Sequence, residues 1–350
     1  MSGRGFSVIR SSLMNNKPFV LSVSKHKTPT RTVGLAVTIM WLAGCATIPW
    51  TARPRPPQPL PPALADYYTA PASPMTARVE PFGPEPSSRW IAQHVTLDAP
   101  GQMPIRLDWY APHNRRGPCA AVLIFPILWG NDLGVREFAR GFAQQGIHGI
   151  IVYRPKEKFS MDQPLDQIEG HLRASVVQAR QVVDWLVTQP SVDHTRLGSL
   201  GISMGGGLNV LVAAAEPRLT RYVFVLPAAQ LAHVTMTTKD RSVAKKRNEY
   251  LRRHGLTPEA AERTLTAVLQ SEPLRVAGAI DPRRSLMVIA LADRVIGRPA
   301  SLDLWRALGR PPTIWLPTGH YTALFALPYV ELKVLWRFAD WATPPERTTP

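Results

Sequence analysis

Five short apolar runs, each separated from the next by polar or helical segments, constrain the fold of this chain most. They lie at 119–125, 149–153, 197–202, 222–226 and 286–291. Continuous apolar runs of this length are typical of strands that are covered on both faces. Between two of them, residues 165–189 carry apolar side chains at spacings of three and four, which indicates an amphipathic helix. The alternation predicts an α/β fold, a mostly parallel sheet flanked by helices with its ligand site at the carboxyl ends of the strands.

The composition agrees with a globular domain. Of the 350 residues, 45% are hydrophobic and 19% are charged, which is too apolar for a disordered chain. Two cysteines, Cys45 and Cys119, exclude a disulfide framework and a cysteine-rich zinc site. Runs at 90–97 and 105–110, separated by a turn at 98–101, predict a further pair of strands ahead of the buried ones.

The N-terminus has the layout of a signal peptide. Residues 1–31 carry six basic and no acidic side chains, and residues 33–44 are apolar. Twelve residues extend roughly 18 Å as a helix, short of the ~30 Å hydrocarbon core of a membrane. The sequence at 42–45, Leu-Ala-Gly-Cys, resembles the lipobox of bacterial lipoproteins, which implies removal of residues 1–44 and lipidation of Cys45. An ordinary secretory signal or a short uncleaved anchor are the alternatives, and Met14 is an alternative start.

Residues 49–87 contain 12 of the 35 prolines and few large apolar side chains. Proline fixes φ and removes a hydrogen-bond donor, so residues 45–87 are predicted to form an extended, semi-rigid tether behind the lipidated cysteine. A ligand for a polyproline-binding module is the alternative. The catalytic domain is then expected at 88–342, followed by a disordered tail at 343–350.

The clearest chemical motif follows the strand predicted at 197–202. Residues 201–205 match the pattern G-x-S-x-G, and residues 206–215 have the character of a helix. A serine on a tight turn between a strand and a helix needs small neighbours, both to tolerate a strained backbone and to let substrate reach its Oγ. Ser203 is therefore predicted to be a nucleophile, and the alternative is a structural serine in a glycine-rich turn.

A serine nucleophile needs a base and an acid, and both follow in the order Ser, Asp, His. Asp293 comes after the strand predicted at 286–291, and His320 comes after a short apolar strand at 313–316. Each therefore lies where a loop can converge on Ser203. Asp281 and Asp303 are poorer candidates for the acid, because the first lies in a Pro/Arg-rich approach to a strand and the second within a predicted helix.

On these residues the chain resembles the α/β-hydrolase superfamily, through GISMGGG at 201–207, LADRV at 291–295 and GHYTALF at 319–325. The resemblance covers residues 90–341. It implies that Ser203 is the nucleophile, that His320 acts as general base and then acid, and that Asp293 orients the imidazole. It also implies an oxyanion hole.

The implied oxyanion donors are the backbone amide of Met204 and one amide from the loop after the strand at 119–125. The sequence departs from the common His-Gly pattern there, since it carries Pro126, which cannot donate. Ile127 is the favoured donor and Leu128 the alternative.

Residues 230–284 form an insertion too long for a simple crossover, and the resemblance implies a helical cap over the site. Thr257, followed by proline and glutamate, marks a helix start. Residues 239–253 carry seven basic and two acidic side chains. The charges are interpreted as a solvated helix face, with anionic lipid headgroups or an acidic substrate as functional alternatives.

Together these features predict a serine hydrolase that cleaves a carboxylic ester through an acyl-enzyme and is lipid-anchored in the bacterial cell envelope, facing the periplasm or in the outer membrane. The expected partners are a small-molecule ester or acyl-lipid substrate and the membrane. The alternatives are thioester or amide substrates, an acyltransferase or peptidase with the same triad, or a non-catalytic scaffold lipoprotein.

The sequence holds no motif for metalloprotease, NTPase or dinucleotide chemistry, so no cofactor or metal is predicted. Of the net charge of +16, six charges lie in residues 1–44 and a net five in 239–253. The remaining five give little support to nucleic-acid binding.

Overall fold

The computed structural model describes residues 55–69, 74–82, 89–113, 115, 117–128, 133–155 and 159–342. The predicted signal peptide, the predicted lipidation site Cys45 and the predicted tail lie outside the described residues.

A nine-stranded sheet forms the centre of the domain, in the order β1-β2-β3-β5-β4-β6-β7-β8-β9. The strands are β1 Thr76–Pro81, β2 Trp90–Asp98, β3 Ile105–Pro112, β4 Cys119–Phe125, β5 His148–Val152, β6 Val192–Ile202, β7 Leu219–Val225, β8 Ser285–Ala290 and β9 Thr313–Leu316. The first three strands and β5 pair antiparallel, and all pairs from β5 to β9 are parallel. The predicted α/β fold with a mostly parallel sheet is confirmed.

Ten α-helices are described around this sheet. They are α1 Pro62–Tyr67, α2 Leu133–Gln144, α3 Gln167–Leu186, α4 Met204–Ala215, α5 Leu231–Thr237, α6 Arg241–His254, α7 Pro258–Val268, α8 Pro273–Val276, α9 Arg298–Ala307 and α10 Leu327–Arg337. Short 3-10 helices occupy Ala277–Ala279, Pro282–Arg284, Thr322–Ala326 and Ala339–Trp341.

The apolar runs of the sequence are the inner strands of the sheet. Every residue of β5 and β8 is buried, as are the last six residues of β4. Covering both faces of these strands removes their side chains from water, which is the main favourable term in folding. The strand predicted at 197–202 is longer than its apolar run, because β6 begins at Val192 with polar residues. Its carboxyl end, which positions the serine, lies where the sequence predicts.

The prediction of a tether at 45–87 is wrong for the parts that the structure describes. Prolines precede and begin α1, where a missing N–H costs nothing, and Tyr68 just after this helix is fully buried. The Tyr68 hydroxyl donates to Ser271 Oγ over 2.9 Å, and Arg180 donates to the Tyr68 carbonyl over 2.7 Å. Strand β1 then pairs with β2 at the edge of the sheet. The folded domain therefore begins before residue 88, and these segments are part of it.

Residues 230–284 are largely helical, in agreement with a helical cap, and contain α5 to α8. Helix α7 begins as predicted, with the Thr257 side chain accepting the Ala260 amide. Helix α6 is capped by Asp240, whose carboxylate accepts the amide of Val243 over 2.8 Å. Within the described residues, no helix combines the length and the apolarity needed to cross a membrane.

Candidate active site

Ser203 lies on the turn between β6 and α4, with φ 57° and ψ −118°. This left-handed region is unfavourable for residues other than glycine, so the surrounding structure must hold the turn. The Ser203 amide donates to the carbonyl of Val225 over 2.8 Å, and its carbonyl accepts the amides of Gly207 and Ala228, both over 3.1 Å. The turn is thus fixed on both sides by the neighbouring strand and helix.

The two glycines of the motif are required by close backbone contacts. A Cβ at Gly201 would collide with the carbonyl oxygen of Gly205, and a Cβ at Gly205 would collide with that of Phe125. Each collision involves backbone, which cannot move away cheaply. The pattern G-x-S-x-G is therefore a condition for the turn to pack against β4.

The structure brings Ser203, His320 and Asp293 into one hydrogen-bonded chain. Ser203 Oγ lies 3.0 Å from Nε2 of His320, and Nδ1 of the same ring lies 2.7 Å from Oδ2 of Asp293. The histidine side chain is 9% exposed and that of the aspartate 1%. The loops that carry them are joined, because the Ala292 amide donates to the Thr318 carbonyl over 2.9 Å.

The environment of Asp293 fixes the tautomer of the histidine. Burial raises the pKa of the Asp293 carboxyl, but the hydrogen bond and charge interaction with His320 and the amides of Ile296 and Val295 outweigh it and hold that pKa below its usual value. An ionised carboxylate only accepts hydrogen bonds, so Nδ1 of His320 carries the proton that Asp293 accepts. The lone pair of Nε2 then faces the Ser203 hydroxyl, the arrangement that a general base requires.

The predicted oxyanion loop lies next to the nucleophile. Phe125, the last residue of β4, pairs with Gly201 of β6, so Ile127 and Leu128 follow at the same edge of the sheet. Met204 is the first residue of α4, where helix amides have no partner within the helix. The oxyanion roles of Met204 and of Ile127 or Leu128 stay predictions.

The side chain of Arg154, which the sequence analysis did not single out, holds this loop. Its Nη2 donates to the carbonyls of Ile127 and Leu128 over 3.0 and 2.5 Å. Burial lowers the pKa of the guanidinium to about 10, and no carboxylate among the described residues pairs with it. In a trans peptide the N–H points opposite to the C=O, so fixing the Ile127 carbonyl also fixes the direction of the Leu128 amide.

Comparison with known proteins gives the family context. The model of the Dienelactone hydrolase family matches residues 107–246. This match covers less than half of the chain, and over these residues the chain is similar to that family. The predicted α/β-hydrolase type of fold is confirmed, and the family match supports the prediction of a carboxylic ester hydrolase.

Solved structures of the same fold include two acetyl xylan esterases. That of a Thermoanaerobacterium species has a TM-score of 0.60 at 16% identity, covering 79% of this chain and 95% of its own. That of a Paenibacillus species has a TM-score of 0.61 at 19% identity, covering 79% of this chain and 90% of its own. An uncharacterised Mycobacterium tuberculosis protein is 27% identical over 168 residues, which is 46% of this chain and only 36% of that protein.

A cavity of about 700 Å³ opens beside the turn that carries Ser203, the predicted nucleophile. It reaches Met204 at that turn and Pro126 and Leu128 of the oxyanion loop, and α6 of the cap forms part of its wall. Helix α6 is held there by Tyr250, whose hydroxyl donates to the Gln163 carbonyl over 2.9 Å. The cavity size is typical of small-molecule sites. In the part of the chain that the structure describes, no group of three or more His, Cys, Asp or Glu side chains is arranged to hold a metal ion.

The cap is linked directly to the loop that carries His320. The hydroxyl of Tyr321, the next residue, donates to Asp240, whose other carboxylate oxygen caps α6. Burial raises the pKa of Asp240, but the hydrogen bonds from Tyr321 and from the Val243 and Ser242 amides outweigh it and hold the pKa below its usual value. The sequence analysis did not identify this contact: an aspartate ahead of a helix indicates an N-cap, but it does not identify a second partner.

Proposed function

We propose that the protein is a serine hydrolase that cleaves a carboxylic ester through an acyl-enzyme and is held at the bacterial cell envelope by a lipid on Cys45. The observation that carries the catalytic part is the chain of hydrogen bonds from Ser203 Oγ through His320 to the buried Asp293, with the serine on a strained turn at the carboxyl edge of the sheet. A serine in a merely structural turn needs neither the base nor the acid behind it.

The geometry accounts for each proton of the reaction. Ser203 Oγ attacks the ester carbonyl carbon while Nε2 of His320 takes the hydroxyl proton, and Asp293 stabilises the resulting imidazolium. The negative oxygen accepts hydrogen bonds from the amides of Met204 and of Ile127 or Leu128. When the C–O bond to the alcohol breaks, His320 returns the proton to the leaving oxygen. Water then attacks the acyl-enzyme, again giving its proton to His320, and the acid is released with Ser203 restored.

The ester substrate is proposed on two grounds. The family model that matches residues 107–246 describes hydrolases, and the two structural neighbours reported above are named acetyl xylan esterases. The cavity beside the turn has room for an acyl group and part of the alcohol. Removal of the signal peptide and lipidation of Cys45 are proposed on the apolar segment at 33–44 and the Leu-Ala-Gly-Cys sequence alone.

A fluorophosphonate probe tests the nucleophile. We expect covalent labelling of the wild type and none of Ser203→Ala, whereas the matched variant Ser301→Ala, which removes a buried serine of α9, stays labelled. Hydrolysis of short and long p-nitrophenyl esters should follow the same pattern. Equal ester hydrolysis by the wild type and Ser203→Ala would end the proposal.

The anchor is tested separately. Metabolic labelling with a clickable fatty acid should mark the wild type and spare Cys45→Ser, and Cys119→Ser is the matched control that should stay marked. Labelling of the Cys45→Ser variant would remove the lipidation site while leaving the catalytic proposal intact.

A further inference from the structure

The cavity beside the nucleophile turn has two kinds of wall. One is apolar and extends from the turn under the cap; its side chains are Leu128, Phe159, Leu165, Ile168, Leu172, Met204, Met236, Val243, Tyr250 and Leu251. The other is cationic and consists of Arg106, Arg154, Lys246 and Arg247, with His171 also in the lining. No aspartate or glutamate is among the described residues that line the cavity. Apolar walls and several cationic side chains in one cavity give a site that attracts anions.

The cations come from two parts of the fold. Arg106 and Arg154 lie at the sheet, where the Tyr153 amide donates to the Arg106 carbonyl over 3.0 Å, and Lys246 and Arg247 lie on α6 of the cap. A ligand between them would contact the sheet and the cap at once.

Arg154 is the informative member of this group. Only its Nη2 donates to the oxyanion loop, and its Nε and Nη1 groups, in a partly buried side chain, have no hydrogen-bond partner among the described residues. A partly buried guanidinium with N–H groups that no carboxylate occupies can donate charge-assisted hydrogen bonds to an anionic ligand. The side chain of Arg106 likewise makes no hydrogen bond or ion pair with another described residue.

We propose that the cavity binds the phosphate of an acyl ester, so that the substrate is an apolar acyl chain esterified to a phosphate-bearing alcohol, as in a lysophospholipid. A phosphate monoester carries about −1.5 to −2 charges at pH 7 and three acceptor oxygens, which matches several arginines and a lysine better than a single carboxylate does. The apolar wall takes the acyl chain. This inference rests on the proposed function: the same Ser203 cleaves the ester C–O bond with water, and the products are the fatty acid and the phosphorylated alcohol.

The test compares three substrates with one acyl chain, each kept below its critical micelle concentration. They are decanoylglycerol phosphate, neutral decanoylglycerol, and a decanoyl ester whose alcohol carries a carboxylate. We expect the wild type to have the highest kcat/KM on the phosphate ester. In the double variant Arg106→Gln/Lys246→Gln, the ratio of kcat/KM for the phosphate ester to that for the neutral ester should fall by about tenfold or more, the value of one lost charge-assisted hydrogen bond.

The matched control is Lys245→Gln, which removes the same charge one residue away, at a position that does not line the cavity, and should leave the ratio unchanged. Arg154 is not used for this test because it also holds the oxyanion loop. The inference is overturned if the wild type does not prefer the phosphate ester over both others, or if the double variant keeps the preference. It is also overturned if inorganic phosphate inhibits hydrolysis of the neutral ester as strongly as decanoylglycerol phosphate does. The cavity would then bind free phosphate. If Ser203→Ala hydrolyses all three as well as the wild type, the proposed function itself has failed.

Discussion

Substitution of Tyr68 tests whether the proline-rich segment belongs to the folded domain. The side chain is fully buried, packs in the core and donates to Ser271 Oγ over 2.9 Å. Ser271 in turn donates through its hydroxyl and its amide to the buried carboxylate of Glu169, over 2.6 and 2.9 Å. Tyr68 thus connects the segment to α3 and to the end of the cap.

The magnitude follows from burial. Truncating a fully buried aromatic side chain to alanine costs about 3–5 kcal/mol, from lost apolar contacts and the cavity left behind. Tyr68→Phe keeps the ring and loses one hydrogen bond, worth about 1 kcal/mol. At about 2–4 °C per kcal/mol for a domain of this size, we expect Tyr68→Ala to lower the melting temperature by about 10 °C and Tyr68→Phe by about 3 °C.

Calorimetry of the full chain and its variants measures this directly. Val79→Ala, on the edge strand β1 and 47% exposed, is the matched control and should change the melting temperature by no more than about 2 °C. If the segment were a tether, Tyr68→Ala would leave the melting temperature unchanged, because the side chain would have no buried contacts to lose. If Tyr68→Ala melts within 2 °C of Val79→Ala, the packing of this segment is refuted.

Three further predictions concern the site. Asp293→Asn should lower kcat by about 10⁴-fold. Because folding lowers the pKa of Asp293, its carboxylate stabilises the fold above about pH 4, and this contribution is lost as the pH falls further. In urea titrations, the difference in unfolding free energy between the wild type and Asp293→Asn should therefore narrow from pH 7 to pH 3. Arg154→Met should lower kcat on a neutral p-nitrophenyl ester about 10–100-fold with less effect on KM, and Arg154→Lys should recover part of it; an unchanged kcat would contradict its hold on the oxyanion loop. Tyr321→Phe should speed tryptic cleavage of α6 several-fold relative to Tyr329→Phe, and equal rates would contradict the link to the cap.

The sequence predicts the inner sheet and the three residues of the Ser-His-Asp chain because both are encoded locally. Short apolar runs such as 119–125 are typical of strands that are covered on both faces, and β4 has those bounds. Ser203, Asp293 and His320 each follow such a run closely, and parallel strands bring their carboxyl ends to one edge.

The tether prediction failed because composition reports an average over a segment. The prolines at 49–87 indicate how the backbone of the segment is restricted. Whether the segment packs on the domain depends on Tyr68, whose hydrogen-bond partner Ser271 lies 203 residues further along the chain. No pattern within the segment encodes a contact at that separation.

Arg154 was not predicted because its position at the site depends on how the strands are ordered in the sheet. A lone arginine after an apolar run is most simply a solvated charge, and this one becomes partly buried only because β5 lies beside β4 and α6 lines the same cavity. Yet Arg154 lies two residues after β5, as Ile127 lies two residues after β4 and Ser203 one residue after β6. The rule that located the nucleophile, applied to every parallel strand without regard to residue type, would have placed this guanidinium at the site.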